Sequence, residues 1–216
     1  SVIENQFGNI MFNNSGIRPD INNSKGGIIE INPNNFNLTL YDTSKTNYME
    51  SIDFPIGVLD GLYGISNENI FDSYMVVRQL KKDNDGNIWA ITPYSERFNH
   101  IASVQNYNNS EKWMHIFSED LGSYLPTEIT FDKYNRGWIA FENNTIEYPE
   151  GGGVKAFYHN DYIYSSSIQD SSNVVWLDLV NLEDLPNGVN TTIWSLDIGN
   201  LDSQEILWVL SPQGAQ

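Results

Sequence analysis

The sequence predicts an all-β fold, a β-propeller segment of four-stranded antiparallel blades, and three observations carry that prediction. Short β-type runs follow one another with no stretch of helical periodicity long enough for a good helix. A hairpin recurs, since Leu80 and Trp89 return at the same mutual spacing as Ile129 and Trp138, and the outer run around Trp113 returns around Trp176. A Leu-Pro pair, Leu125-Pro126 and then Leu185-Pro186, precedes each following first strand. Recurrence at roughly 50 residues with four strands per unit is the signature of propeller blades.

Residues 1–42 read as a partial blade, with only Ser1 to Gln6 left for its first strand, then Ile10-Met11-Phe12, Gly26-Gly27-Ile28-Ile29-Glu30-Ile31 and Phe36 to Tyr41. Residues 43–73 read as a long inter-blade loop. It carries Phe54, Ile56, Val58, Leu59, Leu62 and Tyr63 among Gly57, Gly61 and Gly64. Loops beyond about 12–15 residues are usually functional or disordered, and the apolar content of this one predicts a lid packed on the propeller. Residues 74–117 form the reference blade: Tyr74 to Leu80, the Asp85-Gly86 turn, Asn87 to Ile91, Ile101 to Gln105 and Lys112 to Phe117. The tight turn needs positive φ, which Gly supplies without steric cost. Residues 127–179 repeat it as Thr127–Asp132, Gly137–Glu142, Val154–His159 and Val175–Leu179, with a Tyr/Ser-rich insertion before the last run. Residues 190–216 supply the inner half of a further blade. The count is about two whole blades and two partial ones, so the sequence is expected to belong to a larger closed propeller that continues in both directions.

With 40% hydrophobic residues the 216-residue chain can fill a core. Its 28 Asp+Glu against 11 Lys+Arg leave a net charge of −17, a field that repels phosphate backbones, so nucleic acid is not an expected partner. Cysteine is absent, which excludes disulfides, thiolate metal sites and a cysteine nucleophile. No apolar run approaches the ~20 residues a membrane helix needs.

Asp83-x-Asp85-Gly86-Asn87-Ile88-Trp89 after an apolar strand resembles the D-x-x-G-x-[IL]-W core of the two-component-regulator propeller repeat. The stretch from Glu183 through Trp194-Ser195-Leu196-Asp197 to Glu205–Leu210 resembles the same repeat, and is also similar to the propellers of type IX secretion-associated surface proteins. Gly151-Gly152-Gly153-Val154 matches their glycine-led third strand. Two positions depart from the pattern, Met11 in place of Trp and Gly137 directly before Trp138. The resemblance implies an extracytoplasmic protein, in the periplasm or at the cell surface.

Asp83-Asn84-Asp85-Gly86-Asn87 opens like a calcium loop, but the closing acid falls at Tyr94, so the segment reads as a turn and no metal is assigned. Trp89, Trp138 and Trp208 recur at one position of each unit and read as filling between blades, not as sugar platforms. His100, His115 and His159 share no ligand spacing, and the Glu119-Asp120 and Glu183-Asp184 pairs repeat at equivalent turns. No catalytic residue and no cofactor is expected. Binding groups should converge where the second-to-third-strand loops and the between-blade loops share one face. There Tyr94, Arg97, Phe98, Tyr124 and Tyr148 have stacking or hydrogen-bonding capacity. The reading is a non-catalytic scaffold that binds other blades or protein partners of a surface or secretion assembly. The alternatives are the oligosaccharide-sensing periplasmic region of a hybrid two-component system and, behind it, a propeller lyase or hydrolase.

Overall fold

The computed structural model describes residues 1–14, 27–41, 62–63, 74–75, 77–91, 93, 100–105, 113–117, 125–142, 152–159, 174–177, 192–212 and 214–215. Every regular element among them is a β-strand. The first sheet is a meander of β1 (Val2–Glu4), β2 (Ile10–Asn14), β3 (Gly27–Ile31) and β4 (Leu38–Tyr41). Strands β5 (Leu62–Tyr63) and β6 (Tyr74–Met75) pair with each other. The second blade is β7 (Gln79–Lys82), β8 (Ile88–Ile91), β9 (His100–Gln105) and β10 (Trp113–Phe117). The third is β11 (Leu125–Phe131), β12 (Gly137–Glu142), β13 (Gly153–His159) and β14 (Val174–Leu177). The last is β15 (Ser195–Leu201), β16 (Gln204–Ser211) and β17 (Gly214–Ala215). The chain is thus an all-β propeller segment whose first strands neighbour one another in the order β1, β7, β11, β15.

Two boundaries differ from the sequence reading. The expected partial blade at 1–42 has four strands, because three residues, Val2 to Glu4, suffice to pair with Phe12, Met11 and Ile10. Tyr74 and Met75 do not open the second blade but pair with Tyr63 and Leu62, and its first strand starts at Gln79. Apart from Leu62 and Tyr63, residues 43–73 lie outside the described residues, and so does the lid expected there.

Each of the first three blades turns from its first to its second strand on the same side-chain device. Asp83 Oδ1 accepts the backbone N–H of Asp85 at 3.0 Å and of Asn87 at 2.9 Å, and its Oδ2 accepts the Trp89 indole N–H at 2.9 Å. Asp132 does the same for Tyr134, Arg136 and the Trp138 indole, and also accepts Arg136 Nε. Asn5 accepts from the N–H of Phe7 and Asn9. The spacing of the D-x-x-x-x-x-W pattern therefore has a physical cause: one carboxylate closes the turn and satisfies the indole N–H of a Trp set between blades. Where Met11 replaces Trp, Asn5 replaces Asp, and the amide donates to Met11 Sδ at 3.8 Å and Glu30 Oε1 at 2.7 Å.

The left-handed position of these turns is held by Gly8 (φ 78), Gly86 (φ 89) and, in the third, Asn135 (φ 60). Glycine is thus not needed at the left-handed position of the third turn but is needed two residues later, at the first residue of β12. A Cβ on Gly137 would stand 2.3 Å from Cε1 and Cζ of Phe157, whose ring crosses the strand there to reach Trp89 at 5.5 Å between centroids. The departure at Gly137-Trp138 is a packing requirement of the neighbouring blade.

Strand alternation gives every blade two apolar faces. The trailing face of the second blade, with Trp89, Ile91, Ala102 and Val104, packs on the leading face of the third, with Ile129, Phe131, Ile139, Phe141 and Phe157. Met11, Ile28 and Tyr41 pack likewise on Val77, Leu80, Ile88 and Ala90. Trp138, Ala140 and Val154 pack on Ile193, Leu196, Leu207 and Val209. Trp208 does not share this burial. It is 44% exposed, and among the described residues no sheet packs on that face of the last blade.

Candidate interaction face

The register places the start of each first strand beside the end of the second: Gln79 opposite Ile91, Leu125 opposite Glu142, Ser195 opposite Leu210. The segments that carry the candidate residues join these strand ends, 92–99 after β8, 118–124 before β11 and 143–151 after β12. Tyr94, Arg97, Phe98, Tyr124 and Tyr148 themselves lie outside the described residues. What the structure shows is the frame formed by the strand ends that these segments join in sequence.

That frame is a polar seam across successive first strands. Glu128 accepts from Gln79 Nε2 at 2.9 Å on one side and from the Leu196 N–H at 2.8 Å on the other, and Gln79 Oε1 accepts the Ile129 N–H at 2.7 Å. The Thr127 hydroxyl donates to the Ile193 carbonyl at 3.1 Å, and the Ile193 N–H donates to the Phe141 carbonyl at 3.1 Å. Asn13 Nδ2 donates to the Val77 carbonyl at 2.7 Å. Sheets packed face to face have no ladder hydrogen bonds between them, so these side chains fix how one blade is set against the next. At the rim Arg78 and Glu142 form a salt bridge at 3.3 Å, each more than a third exposed, worth less than about 1 kcal/mol. Trp194, 58% exposed, stands at the same end with its backbone N–H donated to the Leu210 carbonyl.

The buried acids are held by donors. Glu30 accepts from Asn5, Asn9 and the Tyr41 hydroxyl, each at 2.7 Å, and Gln105 Nε2 donates to Tyr41 Oη at 3.2 Å, which ties the first blade to the second. Asp83 and Asp132 face N–H groups, the wrong polarity of neighbour for a cation. Among the described residues no group of three or more His, Asp or Glu is placed to hold a metal ion. Sequence reasoning missed Gln79 and Glu128. Their signal was present, since each is a polar residue directly before the apolar residue, Leu80 or Ile129, that anchors the repeated hairpin.

No protein-family profile and no curated protein matches the chain. Among solved structures it is similar to PorZ, a bacterial surface component of the type IX secretion system of Porphyromonas gingivalis, at 13% identity and a TM-score of 0.44 over 100% of this chain and 31% of that one. It is also similar to the extracellular domain of a protein assigned as one-component system BT4673 from B. thetaiotaomicron, at 13% identity and a TM-score of 0.36 over 99% of this chain and 26% of that one. The chain thus spans less than a third of the length of either protein. No described helix is long and apolar enough to cross a membrane.

Proposed function

We propose that the chain is a non-catalytic, extracytoplasmic binding scaffold that presents its between-strand loops to protein partners of a surface or secretion assembly. One observation supports the reading: the carboxylates Glu30, Asp83, Glu128 and Asp132 each hold several donors of the framework, which fixes the strand ends that the candidate segments join in sequence. Polar groups committed to rigidity are what a platform for loop recognition needs. The stretch around Trp194 and the glycine-led strand at Gly151–Val154, similar to those of type IX secretion-associated surface proteins, support the choice of context.

A second reading, sensing of an oligosaccharide, is favoured by Trp194, an exposed aromatic beside the Arg78–Glu142 rim. Two variants separate the readings. Replacing residues 52 to 66 by a short Gly/Ser linker, or Tyr94→Ala with Arg97→Ala, should weaken cross-linking to envelope proteins and leave the blades folded by circular dichroism. Tight binding of a defined oligosaccharide to the wild type, lost in Trp194→Ala, with every protein cross-link intact in the loop variants, would overturn the scaffold reading. Turnover of a glycosidic substrate abolished by one point substitution would overturn both.

A further inference from the structure

The turn that closes the first hairpin is built alike in three blades, so each serves as a control for the others. It reads Asn5-Gln6-Phe7-Gly8-Asn9-Ile10-Met11 in the first, Asp83-Asn84-Asp85-Gly86-Asn87-Ile88-Trp89 in the second and Asp132-Lys133-Tyr134-Asn135-Arg136-Gly137-Trp138 in the third. At the fifth position two blades use Asn, whose amide is consumed inside the blade. Asn87 Nδ2 donates to both oxygens of Asp83, at 3.1 and 2.8 Å, and Asn9 Nδ2 donates to Glu30 at 2.7 Å. The third blade has Arg136, whose side chain gives Asp132 its Nε alone. A guanidinium carries five N–H donors, so the four on its terminal nitrogens have no hydrogen-bond partner among the described residues. Asn87 shows that a shorter side chain can hold this turn, and the surplus of Arg136 therefore has another use. The surplus is held in place. Arg136 Cζ lies 5.6 Å from the Trp138 ring centroid and 5.2 Å from that of Tyr134, and Lys133 Nζ lies 5.1 Å from the same Tyr134 ring. Tyr134 is 61% exposed, and neither its hydroxyl nor Lys133 Nζ has a hydrogen-bond partner among the described residues. The turn is also tied to its neighbours on both sides: Asn135 accepts the Asn84 N–H at 2.9 Å and donates to Asp85 at 2.7 Å, and the Lys133 backbone N–H donates to Glu205 at 2.9 Å.

We propose that Lys133, Tyr134 and Arg136 form a site for the carboxylates of an acidic peptide segment on a protein partner. The planar fork of Arg136 matches the two oxygens of a carboxylate, and the Lys133 ammonium takes a neighbouring acid. Tyr and Arg are also the residues that most often anchor protein interfaces, and a turn already fixed by its neighbours loses little freedom on binding. A saccharide fits less well, because stacking needs a bare ring face and the Tyr134 ring already has two cations against it. The acids nearest the site are engaged by donors: Asp132 by the N–H of Tyr134, the N–H and Nε of Arg136 and the Trp138 indole, Asp85 by Asn135, and Glu205 by Lys133. The net charge of −17 opposes an acidic partner at long range, but salt screens it over roughly 8 Å at 0.15 M, and the contacts at the turn fall well inside that distance. Phe131 pairs with Gly137 at this end of the third blade and Leu125 with Glu142 at the other. The site is thus at the opposite end of the sheet from the candidate loops, and it does not rest on their assignment.

Isothermal titration of the purified chain with an acetylated hexaglutamate amide, in about 0.15 M NaCl, tests this. The expected result is saturable 1:1 binding with a Kd below about 1 mM. Arg136→Asn installs the residue of the second blade, so circular dichroism should show the blades folded while binding weakens roughly tenfold or more, the loss of hydrogen bonds between charged groups. Arg136→Lys keeps the charge without the fork and should recover only part of that loss. Lys133→Gln retains the backbone bond to Glu205 and should also weaken binding, and it carries the test alone if Arg136→Asn does not fold. Tyr94→Ala with Arg97→Ala, at the loop end, should leave the peptide bound as in the wild type. Absence of binding up to about 1 mM peptide overturns the proposal, and so does binding that Arg136→Asn and Lys133→Gln leave unchanged. Loss of peptide binding in the loop-end variant would overturn the placement of the site. An oligogalacturonate bound more tightly than the peptide, and lost in Arg136→Asn, would overturn the choice of partner.

Discussion

Gly137→Ala sets two known effects against each other, and the structure decides the sign. Gly137 lies inside β12 and has no positive φ, so the backbone accepts Ala, and the lower entropy of the unfolded chain would favour it by about 0.5–1 kcal/mol. Against this stands the Phe157 ring, two atoms of which would lie 2.3 Å from the new Cβ, where carbon contacts normally settle near 3.5–4.0 Å. The ring would have to withdraw by more than an ångström, yet it is fully buried and tilted at 56° against Trp89. Overpacking in a close-packed interior costs about 1–3 kcal/mol, and full displacement of the ring would approach the ~3–5 kcal/mol of deleting a buried Phe. The clash outweighs the entropic gain, and the variant should be less stable by about 1–3 kcal/mol, or roughly 2–4 °C in melting temperature per kcal/mol for a chain of this length. Urea unfolding followed by Trp fluorescence measures it. Phe157→Leu, which shortens the ring, should be destabilising alone yet relieve part of the Gly137→Ala cost, giving a coupling energy above about 0.5 kcal/mol. A Gly137→Ala protein as stable as wild type, or additive single effects, would refute the packing account.

Asp83→Ala removes the acceptor shared by two turn N–H groups and a buried indole, so it should cost about 3 kcal/mol or more in urea unfolding, against less than about 1 kcal/mol for the exposed Asp85→Ala. The melting temperature should not respond to millimolar calcium or to chelator, in wild type or in Asp83→Ala/Asp85→Ala; a calcium-dependent shift of several degrees would contradict the turn assignment. Asn135→Gly keeps the left-handed turn while losing the bonds from the Asn84 N–H and to Asp85 Oδ2, so a loss near 1 kcal/mol is expected, and Asn135→Ala should lose more.

The hairpins were legible because each supplies its own evidence. Apolar residues alternate, a left-handed residue closes the turn, and the four expected runs of the third blade, Thr127–Asp132 to Val175–Leu179, form the sheet β11 to β14 in that order. Tyr74 to Leu80 misled because Tyr74-Met75-Val76-Val77 is as apolar as a strand, and only the partner, Leu62-Tyr63, shows that the run is divided. The burial of Trp208 could not be read in the same way, because its hairpin resembles that of Trp89 while burial depends on a neighbouring sheet, which no pattern within the hairpin encodes. The candidate loops do not repeat, so their residues could be chosen only by chemistry and by the end of the sheets to which they belong.

The first blade shows why its departures from the motif go together, and Asn5→Asp tests the point. The change restores the residue found at the other two turns, so a rule based on the repeat alone expects stabilisation. Here the side-chain amide that donates to Glu30 at 2.7 Å would become a second carboxylate against the first, and Met11 offers no indole N–H to satisfy it. Two carboxylates in one buried site cannot both ionise easily, so in the variant their shared proton would be held at higher pH than in the unfolded chain. The folded state then binds more protons than the unfolded one above the ordinary carboxylate range, and stability relative to wild type must fall as pH rises. Urea unfolding should show a small difference near pH 4 that widens to about 2 kcal/mol or more by pH 7. A variant equal to wild type at pH 7 would mean that the turn carboxylate works without its Trp, and that Asn5 and Met11 are independent substitutions.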